Sequence, residues 1–321
     1  MTLLTPEVLA ILTIDAIFLI FSFIAAFLSV KIVLKWDINS TSSLQYRLEN
    51  QSYLVSTIIK YILLLKIPLF LFFVFTMDKL SLVIPGAMCA AGVANATPYG
   101  FYLIILKIVN IYLFGFWLLL HKFDISRVDY PFVKAKFIFF LIIFLLLFTE
   151  ITLEVLMFYG IDPAKIVSCC GTLFSAAKTS SISSLMQLPH PVVVLLFYIS
   201  FGVMVLFYLL KKDLLFALAN LLFLFVSLLS LILFFGTYIY ELPTHHCPFC
   251  MLQKDYFYIG YILYITLFSG TFWGMAEGFM HFFIRRKIKR WYNLSLLFNS
   301  LYLIIISSYP IIFYIKNKVW L

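Results

Sequence analysis

The sequence predicts an all-α, polytopic integral membrane protein of about eight transmembrane helices, and three observations carry that expectation. Hydrophobic residues make up 64% of the 321-residue chain and charged residues 12%, where soluble domains run about 45–50% and about 25%. The mean hydropathy is +1.08, so polar groups are too few to cover a water-facing surface and lipid must be the solvent for much of the chain. Finally, apolar windows of the roughly 20 residues that a span requires recur along the whole sequence.

Those windows are 8–35, 53–77, 100–121, 137–159, 191–210, 214–240, 256–284 and 294–315. The first follows a start, MTLLTPEV, with no Lys or Arg, so a retained helix is expected there rather than a secretory signal. The fifth and sixth windows are joined only by Lys211-Lys212-Asp213, which forces a helical hairpin. No internal repeat or soluble segment interrupts the pattern, and residues 1–321 read as a single transmembrane helical domain.

The net charge of +9 is distributed as membrane topology requires, not as a nucleic-acid-binding face, so nucleic acid is excluded as a partner. The connections after the first, third, fifth and seventh windows hold fourteen Lys and Arg residues, among them Arg47, Arg127, Lys211 and the run Arg285–Arg290. The opposite side holds six: Lys79, Lys165, Lys178, Lys254, Lys316 and Lys318. The richer side is expected to be cytoplasmic. Both termini then face outward, and the localisation expected is a bacterial inner membrane, with the outer loops in the periplasm.

That topology puts every cysteine on the outer side. Cys89 falls in the loop at about 78–99, Cys169 and Cys170 in that at about 160–190, and Cys247 and Cys250 in that at about 241–255. The first loop contains PGAMCAAGVANATPYG, whose small residues suit a re-entrant or surface-lying segment. In an oxidising compartment such thiols become disulfides or metal ligands. The plain expectation is one or two structural disulfides.

The sharpest local signal is His245-His246-Cys247-Pro248-Phe249-Cys250 immediately before the seventh window. A C-x-x-C at a helix start gains thiolate character from the helix N-terminus and from cations such as Lys254. A lowered thiol pKa makes one sulfur a good attacker and leaving group in disulfide exchange. Pro248 suits a first helical turn. Met251 stands where a c-type haem site needs His. The adjacent pair Cys169-Cys170 is expected to form an easily reduced disulfide, to relay electrons, or to hold a soft metal.

The segment Cys247-x-x-Cys250-x-x-Gln253-Lys254 resembles the reactive segment of the DsbB family, and more distantly that of the vitamin K epoxide reductase family. The likeness covers about ten residues. It implies thiol–quinone oxidoreductase chemistry, with Cys247 and Cys250 as the quinone-proximal pair and Lys254 in the place of the family's usual Arg. Those families have four or five helices rather than eight, and DsbB's second cysteine pair is separated rather than adjacent.

The remaining polar residues sort by position. His245 and His246, with Cys247 and Cys250, form a set suited to copper or zinc; the two histidines equally suit an interfacial role in tuning the thiols. His121 and His281 lack a matching outer pair, so no haem is expected. Asp15, Lys107, Glu150 and Glu154 lie in outer halves of spans, where ionisable residues are costly and face a partner or a cavity. They are expected to form either a proton relay or a structural ion-pair cluster. Lys66 is near mid-membrane with no evident partner, and Glu277 is expected to serve the Arg285 cluster. Tyr258 and Tyr261, one turn apart, belong to an interfacial aromatic belt or line a quinone pocket.

The function expected first is a membrane thiol–disulfide redox protein at the periplasmic face, with quinone as acceptor. Cys247 and Cys250 would be its reactive pair, and Cys169-Cys170 would exchange with a periplasmic thiol protein. A soft-metal (copper or zinc) binding or transport protein is the alternative. A non-catalytic subunit of a respiratory complex, alongside other membrane subunits, is the third expectation.

Overall fold

The structure, a computed structural model, describes residues 5–37, 40, 42–127, 129–162, 165–167, 188–284 and 288–321. Among them there are helices and turns and no strand. Nine helices are numbered here: α1 Pro6–Lys35, α2 Ser43–Ser81, the short α3 Ala90–Asn95, α4 Gly100–Ile125 and α5 Val133–Gly160. The others are α6 His190–Leu210, α7 Asp213–Tyr240, α8 Ile259–Ile284 and α9 Lys289–Asn317. All but α3 are long and apolar enough to cross a bilayer, so this is a multi-pass protein in contact with lipid.

Local chemistry sets several ends. Pro6 opens α1, where its missing N–H costs nothing. The Ser42 hydroxyl accepts the Gln45 N–H at 3.2 Å and caps α2. Because of that cap, α2 starts ten residues before its apolar window, and its 39 residues span about 58 Å at about 1.5 Å per residue. Lys211 adopts a left-handed conformation, φ 50°, and closes α6 so that α7 can fold back on it.

The chain divides into two compact units. Unit 1 comprises Met1–Pro85 and Val93–Lys165, and unit 2 comprises Gly86–Gly92 and Ile166–Leu321. In unit 1, α1 and α4 each pack against both α2 and α5, a four-helix arrangement around Ile59, Leu63, Phe114, Phe140 and Leu147. At the end where α4 turns into α5, buried Asp124 accepts Lys136 Nζ at 2.6 Å and the Phe132 N–H at 2.8 Å. Trp117 Nε1 donates to the Lys136 carbonyl at 2.9 Å.

Unit 2 is also a four-helix arrangement, with α7 on α6 and α8, and α9 on α8 and α6. Its centre is polar but uncharged. Asn220 Oδ1 accepts from both Ser295 Oγ and Asn299 Nδ2 at 2.9 Å, and Asn299 Nδ2 also reaches Met204 Sδ at 3.2 Å. These amides fit because α8 presents Gly270, Gly274 and Gly278 at four-residue spacing. A Cβ would meet Asn299 at Gly270, Asn220 at Gly274 and Ala217 at Gly278. Small residues at that spacing let helices approach closely in lipid. At the far end Asp213 receives Tyr292 Oη at 2.6 Å and pairs with His281 Nδ1 at 2.8 Å.

Candidate thiol and metal centre

The candidate centre lies wholly in unit 2 and is built from three pieces of chain: the end of α7, the 241–258 connection, and the segment around Cys89. Near its end α7 passes through a π turn, Leu231–Phe235. The Ile232 carbonyl within that turn lies 2.9 Å from His246 Nδ1. A carbonyl only accepts, so Nδ1 carries the hydrogen. His246 is thereby fixed to α7.

Tyr240, the last residue of α7, organises the C-x-x-C. Its hydroxyl donates to the Cys247 carbonyl and accepts the Met251 N–H at 3.1 Å, so one phenol grips both flanks of the motif. Its ring stands edge-on to His245 at 4.3 Å and to Tyr256 at 4.7 Å. Tyr264 of α8 donates to the Pro248 carbonyl at 2.7 Å. The Phe249 N–H points at Cys247 Sγ from 3.4 Å, a contact that favours a thiolate at that sulfur. From the other side, Gln253 Nε2 donates to the Met88 carbonyl at 3.0 Å and fixes the neighbour of Cys89.

These supports bring three sulfurs together. Cys89 Sγ and Cys247 Sγ are 3.4 Å apart, and the sulfurs of Cys89, Cys247 and Cys250 all lie within 4.8 Å of one another. The three residues are 0%, 1% and 5% exposed. Three sulfurs around one ion, at about 2.3 Å from it, would stand about 3.8–4.0 Å apart, so the spacing suits a thiophilic metal. The close pair also suits a disulfide, after the contact shortens to about 2.05 Å.

His245 Nε2 is buried and has no hydrogen-bond partner among the described residues. Burial holds the imidazole below its ordinary pKa; the His246 charge adds to this, and the Cys89 thiol opposes it. A neutral ring with an open nitrogen is the form that binds metals. Burial, followed by Cys250, pushes the Tyr256 phenol above its ordinary range.

The expected helix-dipole activation of Cys247 and Cys250 is corrected by the fold. Cys250–Leu252 and Lys254–Tyr256 are single 3₁₀ turns, and left-handed Phe257 and Tyr258, φ 53° and 56°, separate them from α8. Pro248 therefore sits before a 3₁₀ turn, not in the first turn of a long helix. Lys254 is exposed on the second 3₁₀ turn. Tyr258 is half exposed and packs on Tyr261 with centroids 6.4 Å apart. Cys169 and Cys170 lie outside the described residues.

The charged residues singled out from the spans do meet, at the centre of unit 1. Lys107 Nζ binds Glu150 Oε1 at 2.9 Å and Glu154 Oε2 at 2.6 Å. Lys66, for which the sequence offered no partner, binds Asp15 Oδ1 and Glu150 Oε1, each at 2.9 Å. Asn110 Nδ2 donates to Glu150 Oε2 at 2.6 Å. The other histidines are engaged locally: His121 stacks on Trp117 at 5.1 Å, and His281 pairs with Asp213. Glu277 accepts the Ile288 N–H at 2.8 Å; Arg285 lies outside the described residues.

Sequence reasoning placed Cys89 in an outer loop but gave it no site role, and it gave none to Lys66, Tyr240, Tyr264, Gln253 or Asn110. Only the buried-side periodicity of Asn110 with Lys107, one turn apart on α4, would have found one of them. Compared with models of protein families, with curated proteins and with solved structures, the chain matches none. The likeness around Cys247 and Cys250 therefore stands on those ten residues.

Proposed function

We propose that the protein binds a soft metal ion, Cu⁺ foremost, in a three-thiol site at the periplasmic face of a bacterial inner membrane. The observation that carries this reading is the burial of three sulfurs within 4.8 Å of one another. Thiolate donors select Cu⁺ and Zn²⁺ over harder ions. The N–H at Cys247 offsets thiolate charge, and Tyr240 and Tyr264 hold the loop in place, so the donors are positioned before the ion arrives. Three sulfurs suffice for Cu⁺, whereas Zn²⁺ takes four donors, and among the described residues neither His245 nor His246 joins the three sulfurs within 4.8 Å. The outer placement rests on the fourteen-to-six asymmetry of Lys and Arg.

Titration of the purified, reduced, full-length protein with Cu⁺ against a chromogenic chelator tests the proposal. One equivalent should bind tightly, and Cys89→Ser, Cys247→Ser and Cys250→Ser should each weaken that binding at least about 100-fold. Equal binding by the variants would defeat the reading. A protease-cleavable tag after Leu321 should be cut in intact spheroplasts, and cleavage only in inverted vesicles would reverse the topology.

The 3.4 Å contact of Cys89 with Cys247 supports thiol–disulfide chemistry as the second reading. Forming that S–S bond releases two electrons and two protons, which a quinone would take up as quinol. Burial of all three sulfurs weighs against direct exchange with a protein dithiol. Under this reading Cys89→Ser abolishes dithiol-dependent quinone reduction and leaves metal content unchanged.

A further inference from the structure

The cluster in unit 1 has a charge imbalance, and its hydrogen bonds localise it. Each of the four long helices contributes. Asp15 comes from α1, Lys66 from α2, Lys107 and the neutral Asn110 from α4, and Glu150 and Glu154 from α5. All six side chains are buried, between 0% and 4% exposed. Three carboxyls thus face two ammonium groups, and one negative charge in excess would sit in an apolar interior, where an uncompensated ion is very costly.

The acceptors are not equally served. Glu150 receives both lysines on Oε1 and Asn110 on Oε2. Asp15 receives Lys66 on both oxygens, at 2.9 and 3.2 Å. Glu154 receives Lys107 on Oε2 alone, and its Oε1 is fully buried with no donor among the described residues. The Asp15 carboxyl lies within side-chain hydrogen-bonding reach of Glu154. Two ionised carboxylates are both acceptors and repel, so a contact between them needs a hydrogen. Asn110 Oδ1 is a second buried acceptor with no donor among the described residues.

We infer that unit 1 holds a proton-binding site, in which one exchangeable proton is shared between the Glu154 and Asp15 carboxyls. That proton makes the cluster neutral, supplies the donor that Glu154 Oε1 lacks, and turns the acceptor–acceptor contact into a hydrogen bond. Lys66 and Lys107 then balance the two remaining carboxylate charges. The inference is independent of the thiol centre, which lies in unit 2.

Infrared spectroscopy of the full-length protein with ¹³C-labelled carboxyls, at neutral pH, tests it. The expected result is one protonated-carboxyl C=O band that shifts down in D₂O and disappears in Glu154→Gln, which keeps shape and neutrality. Asp15→Asn should also remove the band, because the remaining two carboxylates then match the two lysines, and it serves if Glu154→Gln fails to fold. Absence of the band in the parent protein would overturn the inference, and so would its survival in both variants. A parent protein without the band whose thermal stability rises on adding Na⁺ would hold a metal cation in place of the proton, and this too would overturn it.

Discussion

Both units pack four long helices around polar groups in a chain meant for lipid, but they meet that burden differently. Unit 1 concentrates full charges: Glu150 alone takes two lysines and an amide. Unit 2 uses neutral groups at its centre, with Asn220, Ser295 and Asn299 bonded to one another against the glycines of α8, keeps its buried Asp213 near one end, and sets its three sulfurs where α7 and α8 are joined. Charges and amides are thus tolerated on different terms. A buried charge demands its countercharge, so removing one partner strands the others. A buried amide can lose a partner cheaply, provided the helices still approach closely.

The largest effect is expected on removing a countercharge. Lys107→Met should destabilise unit 1 by about 3–5 kcal/mol, seen as loss of monodisperse protein, and adding Glu150→Gln, which removes the carboxylate that Lys107 balanced, should restore much of it. If Lys107→Met is as stable as the parent, the cluster is not a charge-balanced unit. Next in size, Cys89→Ser should weaken Cu⁺ binding at least 100-fold, about 2.8 kcal/mol, in chelator competition, with unchanged thermal unfolding. Loss of fold along with loss of metal would make Cys89 a structural residue. Gly274→Val should cost about 1–3 kcal/mol by overpacking against Asn220, read by thermal unfolding in detergent; an unchanged midpoint would remove the close-approach argument. The smallest effect belongs to Asn299→Ala. Interhelical hydrogen bonds in membranes average about 0.6 kcal/mol and reach about 1.7, so a loss near that of Lys107→Met would erase the contrast between the units.

The eight spans were legible because apolar length is a strong signal that each segment carries by itself. The tight turn at Lys211-Lys212 was legible for the same reason, since nothing else fits between two such windows. Polar extensions were not: residues 43–52 join α2 through the Ser42 cap, which hydropathy does not register. The meeting of Asp15, Lys107, Glu150 and Glu154 was expected from their matching depth, but Lys66 was not, because depth says little about which helix faces which. The two cysteines of the C-x-x-C lie in the three-sulfur cluster, and their helical setting was misjudged. Two left-handed residues, Phe257 and Tyr258, break the chain before α8, and nothing in their side chains announces that. The contact of Cys89 with Cys247 spans 158 positions, and only tertiary packing creates it.

X-ray absorption at the copper edge of the Cu⁺-loaded protein reads the three-thiol site itself. Three sulfur scatterers at about 2.3 Å, falling to two in Cys89→Ser, are the predicted result. A first shell of nitrogen or oxygen, or one unchanged by Cys89→Ser, would contradict it.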